Sequence, residues 1–376
     1  MFEDLDAVVA DRQRRVEKYV MVETLPEGKP TTNTKVEWLE DDPFSYSSLL
    51  SAAVSASEVT FNVTAADGTN FTVGNVLEVE SEYVLVTAIS TAALTVTRGL
   101  QGTSGAAHSA AKTVSIIGSI SAEGSTIVTG TATVRTEHSN YCNIIITPVK
   151  VTGTDMAVNG PGGDDLSNKQ MRSLINHQKK CDLAIKRYQT AATGSGTATP
   201  RSMTGLDGFI STELHSIAST SIGTTTSTDI TWAKLNAMTQ AMRENGGNSW
   251  VAYCGMTAWS SIQAMLKASG NSGVPLAVNG ATAAQYGFIW QRILTNWGYV
   301  TLVLDENVTT GSIYFLEDSD IAISGVKIRY MAGRKLLWKQ NSSTGDYEEW
   351  YWLSEFTIEF RNEAMSGKLT AITGGA

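Results

Sequence analysis

The chain has 376 residues, 42% of them hydrophobic, enough to bury a large core and to form more than one domain. Charged residues make up only 17% and the net charge is -9, which argues against a dedicated nucleic-acid binder but is compatible with loose enclosure of DNA. Three widely spaced cysteines, Cys142, Cys181 and Cys254, argue against a disulfide framework or a zinc site. The opening MFEDLDAVVADRQRR lacks the apolar core of a signal peptide, and no apolar run is long enough to span a membrane.

Over residues 3–22, Leu5, Val8, Val9, Val16, Tyr19 and Val20 recur at helical spacing beside Arg12, Arg14 and Arg15. Pro26, Gly28 and Pro30 then break the pattern. A short amphipathic helix followed by extended chain predicts an arm, lying either on a neighbouring subunit or on its own domain. KVEWLEDD, residues 35–42, reads as a strand ended by Pro43. A second extended region over 126–151 holds TIVTGTATVR and NIIITPVKV, and the two regions are expected to form the arms of one long hairpin. Between them, short alternating strands and an Asp67-Gly68 turn predict a separate small β barrel or sandwich over 51–117. TRGLQGTSGAAH, residues 97–108, is Gly-rich but lacks the Lys-Ser/Thr pair of a phosphate-binding loop, so it reads as a plain loop.

Residues 164–193 predict one long amphipathic helix. Met171, Leu174, Ile175, Cys181, Ile185 and Tyr188 form the apolar stripe, and Arg172, Lys179, Lys180, Lys186 and Arg187 take the rest of the circumference. Ser167 with Gln170 has the form of a capping box, and the stop is expected at Gly194 to Gly196. At 1.5 Å per residue such a helix is ~40 Å long, a strut or else an ordinary core helix. RSMTGLDGF follows at 201–209. Helices around Trp232 to Met242 and over 257–268, with strands at 250–254 and 300–304, predict a compact α/β unit. Apolar residues at even positions from Val326 to Trp338 and from Trp350 to Phe360 predict two long strands facing one core, with Glu349, Glu355 and Glu359 pointing away.

No catalytic pattern stands out. The four histidines, His108, His138, His177 and His215, lack partners at metal-ligand spacing and read as surface or structural. The acidic pairs Asp41-Asp42, Asp305-Glu306 and Asp318 with Asp320 have the chemistry of an acid and a base, but paired surface carboxylates are common. The expectation is a non-enzymatic structural or interaction protein with no cofactor and no metal.

An arm, a long hairpin, a strut-like helix, an α/β unit and a long-stranded sheet, in that order, make an α+β chain. It resembles the major capsid proteins of tailed bacteriophages, with the HK97-like fold. VEWLEDD at 36–42, TRGLQGTSGAAH, RSMTGLDGF, NYCNII with the later VTGT at 140–154, and EFTIEFRNEA at 355–364 are similar to a subfamily whose hairpin carries an inserted β domain. The resemblance implies an N-terminal arm at 1–35, an extended loop at 36–50 and 118–150, and an inserted β domain at 51–117. It implies a peripheral domain with the spine helix at 151–204 and 311–376, and an axial domain at 205–310. Assembly contacts are expected at Arg12, Arg14, Arg15, Trp38, Arg201 and Met203. The implied role is a homo-oligomer of hexameric and pentameric capsomers in an icosahedral shell enclosing double-stranded DNA. Scaffolding, portal and decoration proteins are the implied partners, with assembly in the host cytoplasm and no membrane. Some relatives crosslink subunits through a Lys and an Asn, but no position here matches a motif for that chemistry. A tail-tube or other virion protein is the alternative, and a secreted carbohydrate-active protein a more distant one.

Overall fold

A computed structural model describes residues 19–41, 44–124, 135–157, 165–195, 198–219, 222, 228–268, 290–318, 325–342 and 345–373. The chain forms two compact units, Leu39–Glu137 and the remainder. Strands β1 (Lys35–Asp41) and β8 (Arg135–Tyr141) lead out of and back into the larger unit and pair as a two-stranded sheet. The expected hairpin therefore has β1 and β8 as its paired arms, while the predicted TIVTGTATVR strand lies almost wholly outside the described residues. NIIITPVKV, expected in the same hairpin, instead joins the sheet of the larger unit.

The smaller unit is an antiparallel sheet of six strands: β2 (Ser47–Leu49), β3 (Thr60–Asn62), β4 (Asn75–Val79), β5 (Glu82–Ser90), β6 (Ala93–Thr97) and β7 (Thr113–Ser119). Their order is β2-β7-β4-β5-β6-β3. A bridge between Leu50 and Val63 joins the two edge strands at their ends and closes the sheet on itself. Closure removes exposed edges. Phe61, Leu77, Val79, Val84, Leu94 and Val114, all from alternating positions, fill the interior.

In the larger unit the N-terminal helix α1 (Val20–Thr24) buries Val20 and Met21 in the main core. After it the chain runs beside β15 (Gly325–Tyr330) in parallel bridges, Glu27 with Ile328 and Thr31 with Met331. This part of the predicted arm thus lies on its own unit, because Gly28 N–H and Thr31 N–H donate to Ile328 and Tyr330 carbonyls and satisfy the strand's edge. The residues expected to be helical before Tyr19 lie outside the described ones.

β9 (Asn143–Thr152), β15, β16 (Leu337–Asn341) and β17 (Tyr347–Arg361) form a four-stranded antiparallel sheet, with β17 pairing with the other three. The predicted first long strand is two strands, interrupted near Met331 to Leu336 and laid end to end along the 15-residue β17. Pro148 sits inside β9 opposite Tyr351, a position tolerated because β9 has a ladder partner on one side only among the described residues.

Short helix α2 (Gly153–Ala157) precedes the long helix α3 (Asp165–Arg187), which packs on this sheet through Cys181, Ala184 and Ile185 against Phe356, Ile358 and Phe360. Three expectations for α3 change. Ser167 stands inside its first turn and is not its cap, and the helix ends well before Gly194. Its buried face also differs: Met171 and Tyr188 are exposed, whereas the polar His177, Asp182 and Lys186 are fully buried. The early stop has a steric cause. Gly205 and Gly208 bring α4 (Leu206–Phe209) onto the helix end, where a Cβ on Gly208 would stand 1.9 Å from the Gln189 carbonyl oxygen.

The second sheet of this unit is mixed and six-stranded, in the order β10 (Leu214–Ser216), β18 (Gly367–Thr370), β14 (Ile313–Glu317), β11 (Ser249–Cys254), β13 (Tyr299–Leu304), β12 (Trp290–Leu294). Helices α5 (Trp232–Glu244) and α6 (Met256–Ala268) share its core, with Leu235, Met238 and Ile262 against Trp250, Leu302 and Phe315. Thr231 caps α5 by accepting from Lys234 N–H, and Gly246, at φ 104°, lies in the turn after its Asn245 stop.

Candidate functional site

Among the described residues no three His, Cys, Asp or Glu side chains gather as a metal site, and no helix is long and apolar enough to cross a membrane. What the fold builds instead are three buried polar clusters, each fixing a stretch that stands out in the sequence.

The first explains TRGLQGTSGAAH. Glu82 has no exposed surface, and Arg98 grips both its oxygens, Nε to Oε1 at 2.8 Å and Nη2 to Oε2 at 2.5 Å. His108 Nε2 stands 2.9 Å from Glu82 Oε2, its Nδ1 2.9 Å from Glu80 Oε2, and Ala106 N–H also donates to Glu82. Burial opposes the Glu82 charge, but these donors outweigh it and hold the carboxyl at about 2. The loop between Arg98 and His108 turns through left-handed backbone at Gly99, Gln101 and Gly102, which accounts for two of its glycines. His108, expected at the surface or in a structural role, is structural and buried.

The second cluster explains EFTIEFRNEA. Glu355 and Glu359 do point away from the apolar face of β17, yet they are buried, because arginines cover them. Arg201 Nη2 and Arg334 Nε lie 2.8 and 2.6 Å from Glu355, and Arg329 Nη1 and Arg361 Nε lie 2.8 and 2.6 Å from Glu359. Four guanidiniums over two carboxylates leave a partly exposed band of net positive charge.

The third sits at the C-terminal end of α3. Lys186 contacts Asp182 one turn earlier and stands 2.6 Å from Asp305 Oδ2, and all three side chains are fully buried. Asp182 also accepts from Met21 N–H at 3.0 Å and from Asn307 Nδ2 at 2.8 Å, which ties α1, α3 and the loop after β13 together. Asp305 is therefore not a surface carboxylate. Nearby, His177 bridges Thr147 of β9 and Ser354 of β17 at 3.1 and 2.8 Å, and burial lowers it to about 4, so the ring is neutral at pH 7.

The residues expected to make assembly contacts scatter. Arg12, Arg14 and Arg15 lie outside the described residues. Trp38 is buried with Val36, Cys142 and Phe209 and stacks on His138 at 6.1 Å. Met203 has no exposed surface in the main core, and Arg201 is the partly exposed partner of Glu355. Candidate contact surfaces that the sequence reading missed are apolar side chains left in solvent. Ile144 and Ile146 lie on the outer face of β9, and Leu294, Trp297 and Tyr299 cluster at the β12–β13 turn, with Leu294 65% exposed. The signal was available in NIIITPVKV, whose isoleucines occupy both parities of one strand.

The model of the SU10 major capsid protein family matches residues 15–373. The chain belongs to this family. A search of curated proteins finds none that matches the sequence. Similar solved structures include one from Mycobacterium phage Bobi, at 10% identity and a TM-score of 0.47, covering 98% of this chain and 95% of that one. One from Mycobacterium phage Cain has 8% identity and a TM-score of 0.48, covering 96% and 89%. The capsid of a native GTA particle has 9% identity and a TM-score of 0.49, covering 98% and 93%. As a member of this family the chain is a phage major capsid protein, a structural subunit of the virion shell.

Proposed function

We propose that this capsid protein self-assembles into the hexamers and pentamers of an icosahedral head that encloses double-stranded DNA. The observation that carries the reading is the family match across residues 15–373. In this reading residues 1–35 are the arm and β1 with β8 form the extended loop carrying the β domain. Strands β2 and β7 of that domain overstep the expected bounds 51–117, while β9, inside the expected loop segment 118–150, belongs to the sheet of the larger unit. The sheet of β9, β15, β16 and β17 with the spine helix α3 makes the peripheral domain. The axial domain, expected at 205–310, also takes β14 and β18 from the segment 311–376 into its six-stranded sheet.

A shell needs many modest contacts that can anneal, so affinity comes from arms and faces spread over several neighbours. Arg12, Arg14, Arg15 and Arg201 are proposed contacts, together with the apolar residues exposed on β9 and at the β12–β13 turn. Trp38 and Met203, buried within the chain, serve by fixing the backbone beside those contacts. The net charge of -9 keeps the subunit from collapsing onto the packaged polyanion. The subunit turns over no substrate, assembles in the host cytoplasm without a membrane, and meets scaffolding, portal and decoration proteins there. Negative-stain microscopy with light scattering on the purified chain tests this: capsomer rings or shells are expected. A monomer at high concentration, with and without co-expressed virion partners, overturns it.

A further inference from the structure

The cluster at the end of α3 is an unusual thing to bury. Lys186, Asp182 and Asp305 have no exposed surface and sit beside Met21, Ile185, Tyr253 and Val308 of the main core. Ionised together they would carry a net negative charge, and each buried ion costs several kcal/mol before its partners compensate. The partners are uneven. Asp182 accepts from Lys186, Asn307 and Met21 N–H. Asp305 Oδ1 accepts from Asn307 N–H at 2.9 Å. Asp305 Oδ2, in contrast, has no partner in hydrogen-bond geometry, although Lys186 Nζ stands only 2.6 Å away. The carboxyl carbon is one C–O bond beyond that oxygen, so the amine lies within about 4 Å of Cγ.

From this geometry we infer that Lys186 and Asp305 condense spontaneously into an intrachain isopeptide bond, with Asp182 as the proton carrier. The Nζ–Cγ bond forms and one Cγ–O bond of Asp305 breaks. The ammonium gives up two protons in all, and both leave on the departing oxygen as water. Asp182, in contact with the amine, takes a proton from it and returns it to that oxygen, ending unchanged, and no oxidant or other reagent enters. Burial raises the Asp182 carboxyl above the usual range, which suits a group that must hold a proton in transit. The product removes one buried cation and one buried anion, and the oxygen without a hydrogen bond is the atom expelled. It also staples α3 to the loop after β13, 119 residues apart by the difference of 305 and 186.

The inference does not depend on shell formation, because mass is read on the chain itself. Full-length protein is folded, then unfolded and weighed, and digested with trypsin. The expected result is a chain about 18 Da lighter than its composition, no cleavage after Lys186, and a branched peptide joining the Lys186 and Asp305 segments. Asp305→Asn should reach the same product by expelling ammonia, a loss of about 17 Da, and Lys186→Arg should show no loss. Asp182→Asn should slow the reaction, and full conversion in that variant overturns the carrier role. Folded wild-type protein at its full mass that is cleaved after Lys186 overturns the bond, as does a mass loss mapped to linear peptides only. The wild-type measurement decides the matter even where a variant fails to fold.

Discussion

Arg98 and Glu82 form a two-pronged ion pair across the smaller unit, with Nε and Nη2 of one meeting Oε1 and Oε2 of the other. Removing one partner strands the other charge in a buried setting, so Arg98→Ala should cost about 3–5 kcal/mol. The carboxyl is held at about 2, below its ordinary 4.5. A depressed folded-state value means the contribution is complete above about 4.5 and is lost as the pH falls from there towards 2. Thermal melts of wild type and Arg98→Ala across that range should converge as the pH falls. A constant difference between them would show that the pair is not what stabilises the loop.

The buried face of α3 separates residues that look alike in the sequence. Ile185 has no exposed surface and Met171 is 43% exposed. Ile185→Ala should cost about 2–5 kcal/mol, whereas Met171→Ala should stay within about 0.5 kcal/mol. Chemical denaturation of the two variants checks the assignment.

Periodicity found α3 because ten or more residues voted together, and it placed Ile175, Cys181 and Ile185 on the buried side. It misread Lys186 and passed over Asp182, since a pattern scores charge as exposed and cannot see Asp305 and Asn307 arriving from more than a hundred residues away. Glu355 and Glu359 failed similarly: their parity was legible, but their burial depends on arginines from Arg201 to Arg361. The reading of 326–338 as one strand failed because its halves, β15 and β16, pair with separate stretches of one long β17, a long-range choice. The glycines of RSMTGLDGF stood out as a motif, yet their reason, contact with the backbone at the end of α3, exists only in three dimensions.

That contact makes a sharp test. A Cβ on Gly208 would meet Gln189 O at 1.9 Å and one on Gly205 would meet Ile185 O at 2.7 Å, both backbone atoms that cannot swing aside. Gly208→Ala should therefore destabilise by more than about 2 kcal/mol and Gly205→Ala by less. Melting temperatures of the two variants should fall in that order. Gly102→Ala, with open space around its Cβ but φ at 83°, should show only the smaller cost of left-handed backbone, about 1–2 kcal/mol.

All three cysteines are free and buried, and burial pushes the thiols up, Cys142 to about 11, Cys181 to about 12, and Cys254 further. The thiolate is the reactive form, so native protein at pH 8 should react with a thiol reagent far more slowly than unfolded protein. Rapid labelling of one native cysteine would mean that its surroundings open readily, and peptide mapping would say which.

The arm offers the last prediction, because part of it belongs to the fold of its own unit. Val20 and Met21 have no exposed surface in the main core, Met21 N–H donates to Asp182, and residues 26–31 satisfy the edge of β15. Truncation up to Asn33 should therefore strip the buried Val20, Met21 and Leu25 from the core and expose Asp182 and the strand edge, lowering stability by several kcal/mol. Truncation up to Lys18 spares each of those contacts and should leave the melting temperature near wild type. If the basic segment with Arg12, Arg14 and Arg15 binds neighbours, the shorter truncation should nonetheless reduce capsomer formation in light scattering. Equal melting temperatures for both truncations would show that the segment from Val20 to Thr31 adds nothing to the core. Full assembly by the shorter form would remove Arg12, Arg14 and Arg15 from the contact surface.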